Sequence, residues 1–269
     1  MLGSIVGDIV GSIYEFANIK TKDFEFFQPE MERTDDSILC IATADWLLHG
    51  GDVSHYYSRY ALEYPYPMGG YGGMFKAWSS KVARQGIHEP YNSCGNGSAM
   101  RIAPVGWAFE TEREVLEAAK VSASCTHNHP EGIKGAQATA LCIFLARQGH
   151  TASDIRARIE RDFGYDLSMS VKELQRRYSW QGIDGKGDGG ICQDSVPQAI
   201  ICALQAKDFE DAIRNAISIG GDSDTIGCIA GGIAEALYGI PELIKERAWK
   251  YLDETEGRTV RSFIQKYSI

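Results

Sequence analysis

Asp222, Asp224 and Thr225 set two carboxylates and a hydroxyl within four residues, directly after Gly220 and Gly221. Behind them Ile226, Ile229, Ile233 and Leu237 are spaced 3, 4 and 4 apart, which is one face of a helix. Carboxylates are favourable at a helix start for local reasons alone, because the exposed N–H groups and the dipole attract negative charge. An isolated Asp-x-Asp-Thr is therefore first of all a helix cap. A second cluster of the same chemistry, Thr34, Asp35 and Asp36, lies far earlier in the chain and extends the reading. Four or five carboxylates gathered in one site could not all stay ionised without cations. Hard oxygen donors of this kind select Mg²⁺, Mn²⁺ or Ca²⁺ over zinc. Two divalent ions would about balance such a set, so a binuclear centre is the natural count. If the two clusters do not meet in space, both are simple caps.

Three further stretches carry chemistry. Gly95, Asn96, Gly97 and Ser98 precede Ala99, Met100 and Arg101. The glycines would let backbone N–H groups approach an anion, with Ser98 as a further donor, although the run is neither a Walker nor a Rossmann fingerprint. Cys125, His127 and His129 hint at zinc. Residues two apart in a tight link seldom close one tetrahedral site, however, and no second Cys/His cluster supplies the remaining ligands. Residues 64–75 combine four glycines in five positions with Tyr66, Tyr71 and Phe75, which reads as a mobile lid or a plain solvent loop.

The elements that must position these groups read as helices. Over residues 1–15, Leu2, Ile5, Val6, Ile9, Val10 and Ile13 share a helical face, with Gly3, Gly7 and Gly11 at every fourth position. Glycine inside a helix costs about 1 kcal/mol relative to alanine. Three on one stripe therefore predict the close approach of another backbone or a ligand. The same helix would place Asp8 and Glu15 on one side near its two ends. Thr34 is the expected N-cap of a helix carrying Ile38, Leu39, Ile41, Ala42, Trp46 and Leu47, closed by His49, Gly50 and Gly51. Further helices are predicted over 54–63, 112–123 and 131–147, the last with Pro130 at its start. Others follow over 153–163, 171–178, 194–206, 208–219, 241–252 and 258–267, with Asp194 and Asp208 each opening a helix. Residues 182–190, with five glycines in nine, are expected to form a surface loop. Period-2 strands are absent. The expectation is an all-α fold, a single compact multi-helix bundle forming one domain over residues 1–269.

Composition bounds the function. The 269 residues are 44% hydrophobic and 23% charged, ordinary for a globular chain, and the formal net charge is −9. A broad nucleic-acid surface is not expected, because such binding rests on many Lys and Arg contacts to phosphate. A pocket for one anionic ligand is compatible with this charge. Seven scattered cysteines suit reduced thiols in a cytoplasmic protein better than a disulfide framework. The apolar N-terminus lacks a basic flank and contains Asp8 and Glu15, unlike a secretory leader. No apolar run approaches the length of a membrane span.

Five blocks together resemble the ADP-ribosylglycohydrolase family. They are Gly-Asp-Ile-Val-Gly-Ser-Ile-Tyr-Glu (7–15), Thr-Asp-Asp-Ser (34–37), Gly-Asn-Gly-Ser-Ala-Met-Arg-Ile-Ala-Pro (95–104), Thr-His-Asn-His-Pro (126–130) and Gly-Gly-Asp-Ser-Asp-Thr-Ile-Gly (220–227). They occur in the family's order and span most of the chain. The resemblance implies a compact orthogonal helical bundle that hydrolyses the bond between ADP-ribose and an acceptor. By the same resemblance Thr34, Asp35, Asp36, Asp222, Asp224 and Thr225 would ligate two Mg²⁺ or Mn²⁺ ions, with Glu15 beside them as a ligand or gate. Gly95, Asn96, Gly97 and Ser98 would hold the diphosphate and distal ribose, and His127 and His129 would line the same cleft. Ser37 departs from the second threonine common in the family but keeps the hydroxyl. Asp35, Asp36 and Asp224 are the candidate bases, and Tyr71 or Trp78 a stacking surface for adenine or the leaving group.

The expected substrate is an ADP-ribosylated protein or small molecule, with arginine the favoured acceptor. Serine-linked ADP-ribose, O-acetyl-ADP-ribose and an ADP-ribosylated nucleobase stay open. So does a non-catalytic protein that binds ADP-ribose or a toxin. A nucleotide phosphohydrolase fits least, for want of His-Asp clusters. Oligomeric state is not legible.

Overall fold

A computed structural model describes residues 1–269, and its architecture is helical almost throughout. Two helices that are far apart in sequence form its axis, Leu2–Gly11 and Ser223–Tyr238. Every residue of Leu2–Gly11 is buried, and the two run against each other backbone to backbone. A Cβ on Gly7 would overlap the Gly227 carbonyl, one on Gly3 the Gly231 carbonyl, and one on Gly11 the backbone of Ser223 and Asp224. The glycine stripe is thus the means of approach, and its helix-propensity cost is offset by packing no side chain would allow. Ile5 and Ile9 are fully buried beside it, each contributing about 1.5–3 kcal/mol of transfer free energy.

Pro130–Arg147, Cys192–Leu204 and Phe209–Ser218 pack around Ser223–Tyr238. Asp35–His49 packs on Leu2–Gly11 from another side and is itself covered by Val53–Glu63 and Glu254–Tyr267. The buried apolar residues form one connected cluster. The seven cysteines are unpaired, five of them buried. No helix is long and apolar enough to cross a membrane.

Several expectations meet local corrections. The first helix ends at Gly11 and tightens into a 3₁₀ turn over Ser12–Tyr14. Ser12 Oγ donates to the Ile9 carbonyl at 2.8 Å and Asn18 Nδ2 to those of Tyr14 and Glu15, drawing the chain out of the α-helix. A helix over Gly73–Gln85 begins inside the stretch expected to be loop, burying Phe75, Trp78 and Val82. Trp78 is consequently a core residue and no stacking surface. The helix expected from Asp194 starts at Cys192, and the Asp194 carboxylate accepts from the Asp188 N–H at 2.9 Å instead. Asp208 does cap its helix, accepting from Asp211 N. The last helix begins at Glu254, behind a capping box of Asp253 and Glu256. The glycine-rich 182–190 segment is only partly a surface loop. It closes a two-stranded hairpin, Tyr178–Ser179 with Gly182–Ile183, and then turns inward so that Gly189 is buried.

Candidate active site

The axial crossing brings the two acidic clusters together. Thr34 caps Asp35–His49 as expected, accepting from Asp36 N at 3.2 Å. Asp222 stands at the N-cap of Ser223–Tyr238 without a side-chain cap bond. Because Gly11 lets the backbone of Asp224 come close, both helix starts converge on a cleft of about 600 Å³. Glu15, Asp35, Asp36, Asp222, Asp224 and Thr225 line one end of it. Gly95, Asn96, Gly97, Tyr91, Arg101 and His127 line the other, and Tyr71 with the neighbouring glycines of 69–73 forms a wall.

Burial of so many carboxylates has the electrostatic result that elementary physics requires. Desolvation first, and neighbouring carboxylates second, hold Asp35, Asp36 and Asp224 well above the usual carboxylate range. Burial also raises Asp222, against hydrogen bonds from Asp224, Asn96 and Thr225. Half-buried Glu15 is pushed up to about 7 by desolvation and then by the charges of Asp222 and Asp8. These groups favour either protons or cations. Oxygens of Asp8, Asp36 and Asp224 lie within 4.8 Å of one another, and so do those of Glu15, Asp222 and Asp224, two overlapping groups with Asp224 in common.

Hydrogen bonding separates the members. Asp8, on the first helix, accepts from Thr34 N (3.0 Å), Thr34 Oγ1 (2.6 Å), Ser37 N (3.1 Å) and Ser37 Oγ. Four bonds on two oxygens leave this carboxylate little lone-pair capacity. It is the anchor of the Asp35–His49 helix start. By contrast Oδ1 of Asp36 and Oδ1 of Asp224 are buried with no hydrogen-bond partner. Orphaned buried oxygens on two carboxylates of one all-oxygen set fit a hard divalent cation.

The opposite end differs from expectation in detail. Asn96 is buried, and its Nδ2 donates to Asp222 Oδ2 at 2.7 Å, linking the two ends. The backbone N–H groups of Gly95 and Asn96 are already bonded, to Ser93 Oγ (3.0 Å) and the Gly190 carbonyl (3.0 Å), so they do not form the expected anion cradle. Ser98 is fully buried and donates to the Gly132 carbonyl at 2.7 Å, outside the cleft. His129 is the N-cap of Pro130–Arg147, its Nδ1 accepting from Glu131 N at 3.1 Å, and it too is outside. Thr34 is behind the cleft, its hydroxyl spent on Asp8 and on the cap. His127 is in place: buried, with Nδ1 2.7 Å from Thr126 Oγ1 and Nε2 beside Gly95 and Gly97. Tyr71 reaches the cleft with its hydroxyl donating to the Tyr64 carbonyl at 2.9 Å.

A family model described as ADP-ribosylglycohydrolase matches residues 1–267. The chain belongs to the ADP-ribosylglycohydrolase family. Among relatives, ADP-ribosylhydrolase ARH3 of Homo sapiens is 29% identical over 90% of this chain and 85% of its own length. ADP-ribosylarginine hydrolase Tri1 of Pseudomonas putida is 26% identical over 93% of this chain and 73% of its own. A solved "ADP-ribosylglycohydrolase-related protein complex" shares the fold, with a TM-score of 0.68 and 24% identity over 98% of this chain and 96% of that one. The family and its named relatives make this chain a hydrolase acting on ADP-ribose conjugates.

Residues beyond the expected set complete this family member's cleft. Asp8 is the one acidic residue of the first helix, but its role depends on a helix crossing that spacing does not encode. Trp180, in the hairpin turn, lines the acidic end, its Nε1 donating to the Glu15 carbonyl at 2.8 Å. Phe16 stacks on it at a 6.4 Å centroid distance and 7° between planes, while remaining 78% exposed. Nothing in a glycine-rich run announces such a platform.

Proposed function

We propose that this protein is a divalent-metal-dependent hydrolase that releases ADP-ribose from arginine side chains. The observation carrying the reading is the pair of orphaned oxygens, Asp36 Oδ1 and Asp224 Oδ1, inside a buried all-carboxylate cluster. Asp36, Asp222 and Asp224 would hold two Mg²⁺ or Mn²⁺ ions, with Asp35, Glu15 and Thr225 at their edge and Asp8 and Thr34 supporting from behind. When bound, such ions balance the buried charge and act as Lewis acids toward ribose hydroxyls and a water.

The protein's own groups do the rest. Cleavage at C1″ develops oxocarbenium character on the distal ribose, which the carboxylates at the edge of the set, Asp35 and Glu15, would favour electrostatically. Asn96, tied to Asp222, orients that carboxylate and keeps a polar edge toward the ligand. Asp35 and Glu15 are the partly exposed carboxylates of the set, and Asp35, in the first turn of its helix beside Asp36, is the one assigned to take a proton from an attacking water. The glycine and His127 end would take the diphosphate, and the tyrosine wall the adenosine. Arginine is the acceptor because the leaving-group side combines Glu15 with the Trp180 ring. A carboxylate and an aromatic face together suit a planar guanidinium. The relative named as an ADP-ribosylarginine hydrolase supports the same choice.

Release of ADP-ribose from arginine-, serine- and nucleobase-linked substrates, and from O-acetyl-ADP-ribose, tests this with and without Mg²⁺ beside Asp222→Ala. Arginine release that needs metal and Asp222 is the expected outcome. Faster release from another acceptor overturns the acceptor assignment. No release from any, with ADP-ribose still binding, makes the protein a binder.

A further inference from the structure

Arg101 is fully buried yet meets no carboxylate. Its Nη2 donates to the Ser122 carbonyl and to Thr126 Oγ1, both at 2.8 Å, and its guanidinium carbon lies 4.0 Å from the centre of the Tyr57 ring. Nε and Nη1 have no hydrogen-bond partner. Burying a cation with incomplete compensation is costly, and removing it altogether would be the simpler solution for stability alone.

The bond to Thr126 has a directional consequence. A guanidinium only donates, so Thr126 Oγ1 is the acceptor in that contact. Accepting from a cation makes that hydroxyl a stronger donor, and of the groups beside it, Tyr91, Cys125 and, at 2.7 Å, His127 Nδ1, the imidazole nitrogen is the strongest acceptor. With Nδ1 accepting, the single proton of a neutral imidazole resides on Nε2. That nitrogen makes no bond to the protein. It faces the cleft at the glycine run, where a Cβ on Gly97 would stand 3.2 Å from it and one on Gly95 3.5 Å.

We propose that Arg101 and Thr126 are positioning residues that fix His127 as its Nε2–H tautomer, a one-way hydrogen-bond donor to an anionic oxygen in the cleft. Assigning that oxygen to the diphosphate rests on the ADP-ribose reading above; the tautomer does not. Burial, and secondarily the Arg101 charge, hold the His127 pKa well below its usual value, so the ring stays neutral and the relay keeps one direction. The same arrangement explains why the guanidinium is retained: through one hydroxyl it selects which imidazole nitrogen points at the ligand.

Long-range ¹H–¹⁵N correlation spectra of the full chain, labelled at histidine and assigned with His127→Gln, read the tautomer directly without any ligand or metal. The expected spectrum has His127 Nδ1 unprotonated and Nε2 protonated. Thr126→Val should shift His127 toward the Nδ1–H form and weaken ADP-ribose binding roughly tenfold, the scale of one hydrogen bond to a charged group. Thr126→Ser, which keeps the hydroxyl, should restore both. His127 protonated on Nδ1 in the wild-type protein overturns the proposal, as does a Thr126→Val spectrum and affinity unchanged from wild type. Wild-type protein that has the expected tautomer but does not bind ADP-ribose sustains the relay and refutes the diphosphate assignment alone.

Discussion

The two ends of the cleft bury charge in opposite ways. At one, five carboxylates line the surface and Asp8 stands behind them. At the other, a buried guanidinium and a neutral imidazole share the wall with glycines, and the nearest acid contact runs through Asn96 to Asp222. Within each end a second contrast holds. Asp8 spends its oxygens on four hydrogen bonds, whereas Asp36 and Asp224 each keep one oxygen free. Thr126 spends its hydroxyl inward, whereas His127 keeps Nε2 free. In these two pairs the bonded member, Asp8 or Thr126, positions its neighbour, and the member with an open atom lines the cleft.

Substitutions at the acidic end should have the largest effect. Asp36→Asn should lower hydrolysis by more than about 100-fold, beyond the range typical of supporting residues. Yet in chelator it should raise the thermal midpoint, because it removes one like charge from a crowded buried set. A lower midpoint in chelator would show that the cluster is not strained by charge. Asp8→Asn should cost about 10–100-fold, as a positioning partner does, with destabilisation in place of the gain, since an amide presents a donor to groups that already donate. An Asp8→Asn loss as large as that of Asp36→Asn would erase the distinction between anchor and ligand.

The glycine stripe offers a middle-sized test. Gly11→Ala places a methyl against Asp224 and Ser223 and should destabilise by about 1–3 kcal/mol or more, measured by urea unfolding. It should also weaken activity, because Asp224 is displaced. Trp180→Ala should raise KM for an arginine-linked substrate roughly 2- to 30-fold, the range for a lost cation–π contact, with little change in binding of free ADP-ribose. Equal weakening of both would move the platform to the ADP-ribose side.

The smallest effect is at the His127 end. Its folded pKa is depressed, so the unfolded chain takes up a proton that the folded ring refuses. This contribution to stability is present above about pH 6.5 and is lost as pH falls toward the folded value. His127→Gln should therefore flatten the acid side of the stability profile relative to wild type. Parallel profiles would show that His127 titrates normally.

Much of this was legible in the sequence because it is local. Thr34 with Asp35 and Asp36, and Asp222 with Asp224, read as helix starts from spacing alone, and the Gly3, Gly7, Gly11 stripe announced a close backbone. What escaped depends on other elements. Asp8 gains its role from a helix presented to it by the fold. Trp180 reaches the cleft on a hairpin hidden by five glycines without periodicity. Ser98 and His129 look like ligand donors beside their neighbours, but the Gly132 carbonyl and the Glu131 amide claim them first. The Gly73–Gln85 helix starts in glycines that normally oppose one, stabilised by the burial of Phe75, Trp78 and Val82.

On the proposed function, the crossing of Leu2–Gly11 and Ser223–Tyr238 assembles one cation-dependent site from two distant acidic clusters. Titrating Mn²⁺ into chelator-stripped protein while following ADP-ribose release from an ADP-ribosyl-arginine substrate tests it most directly. The expected result is no release before metal, with activity rising to a plateau at two ions per chain. Release at full rate in excess chelator would contradict it.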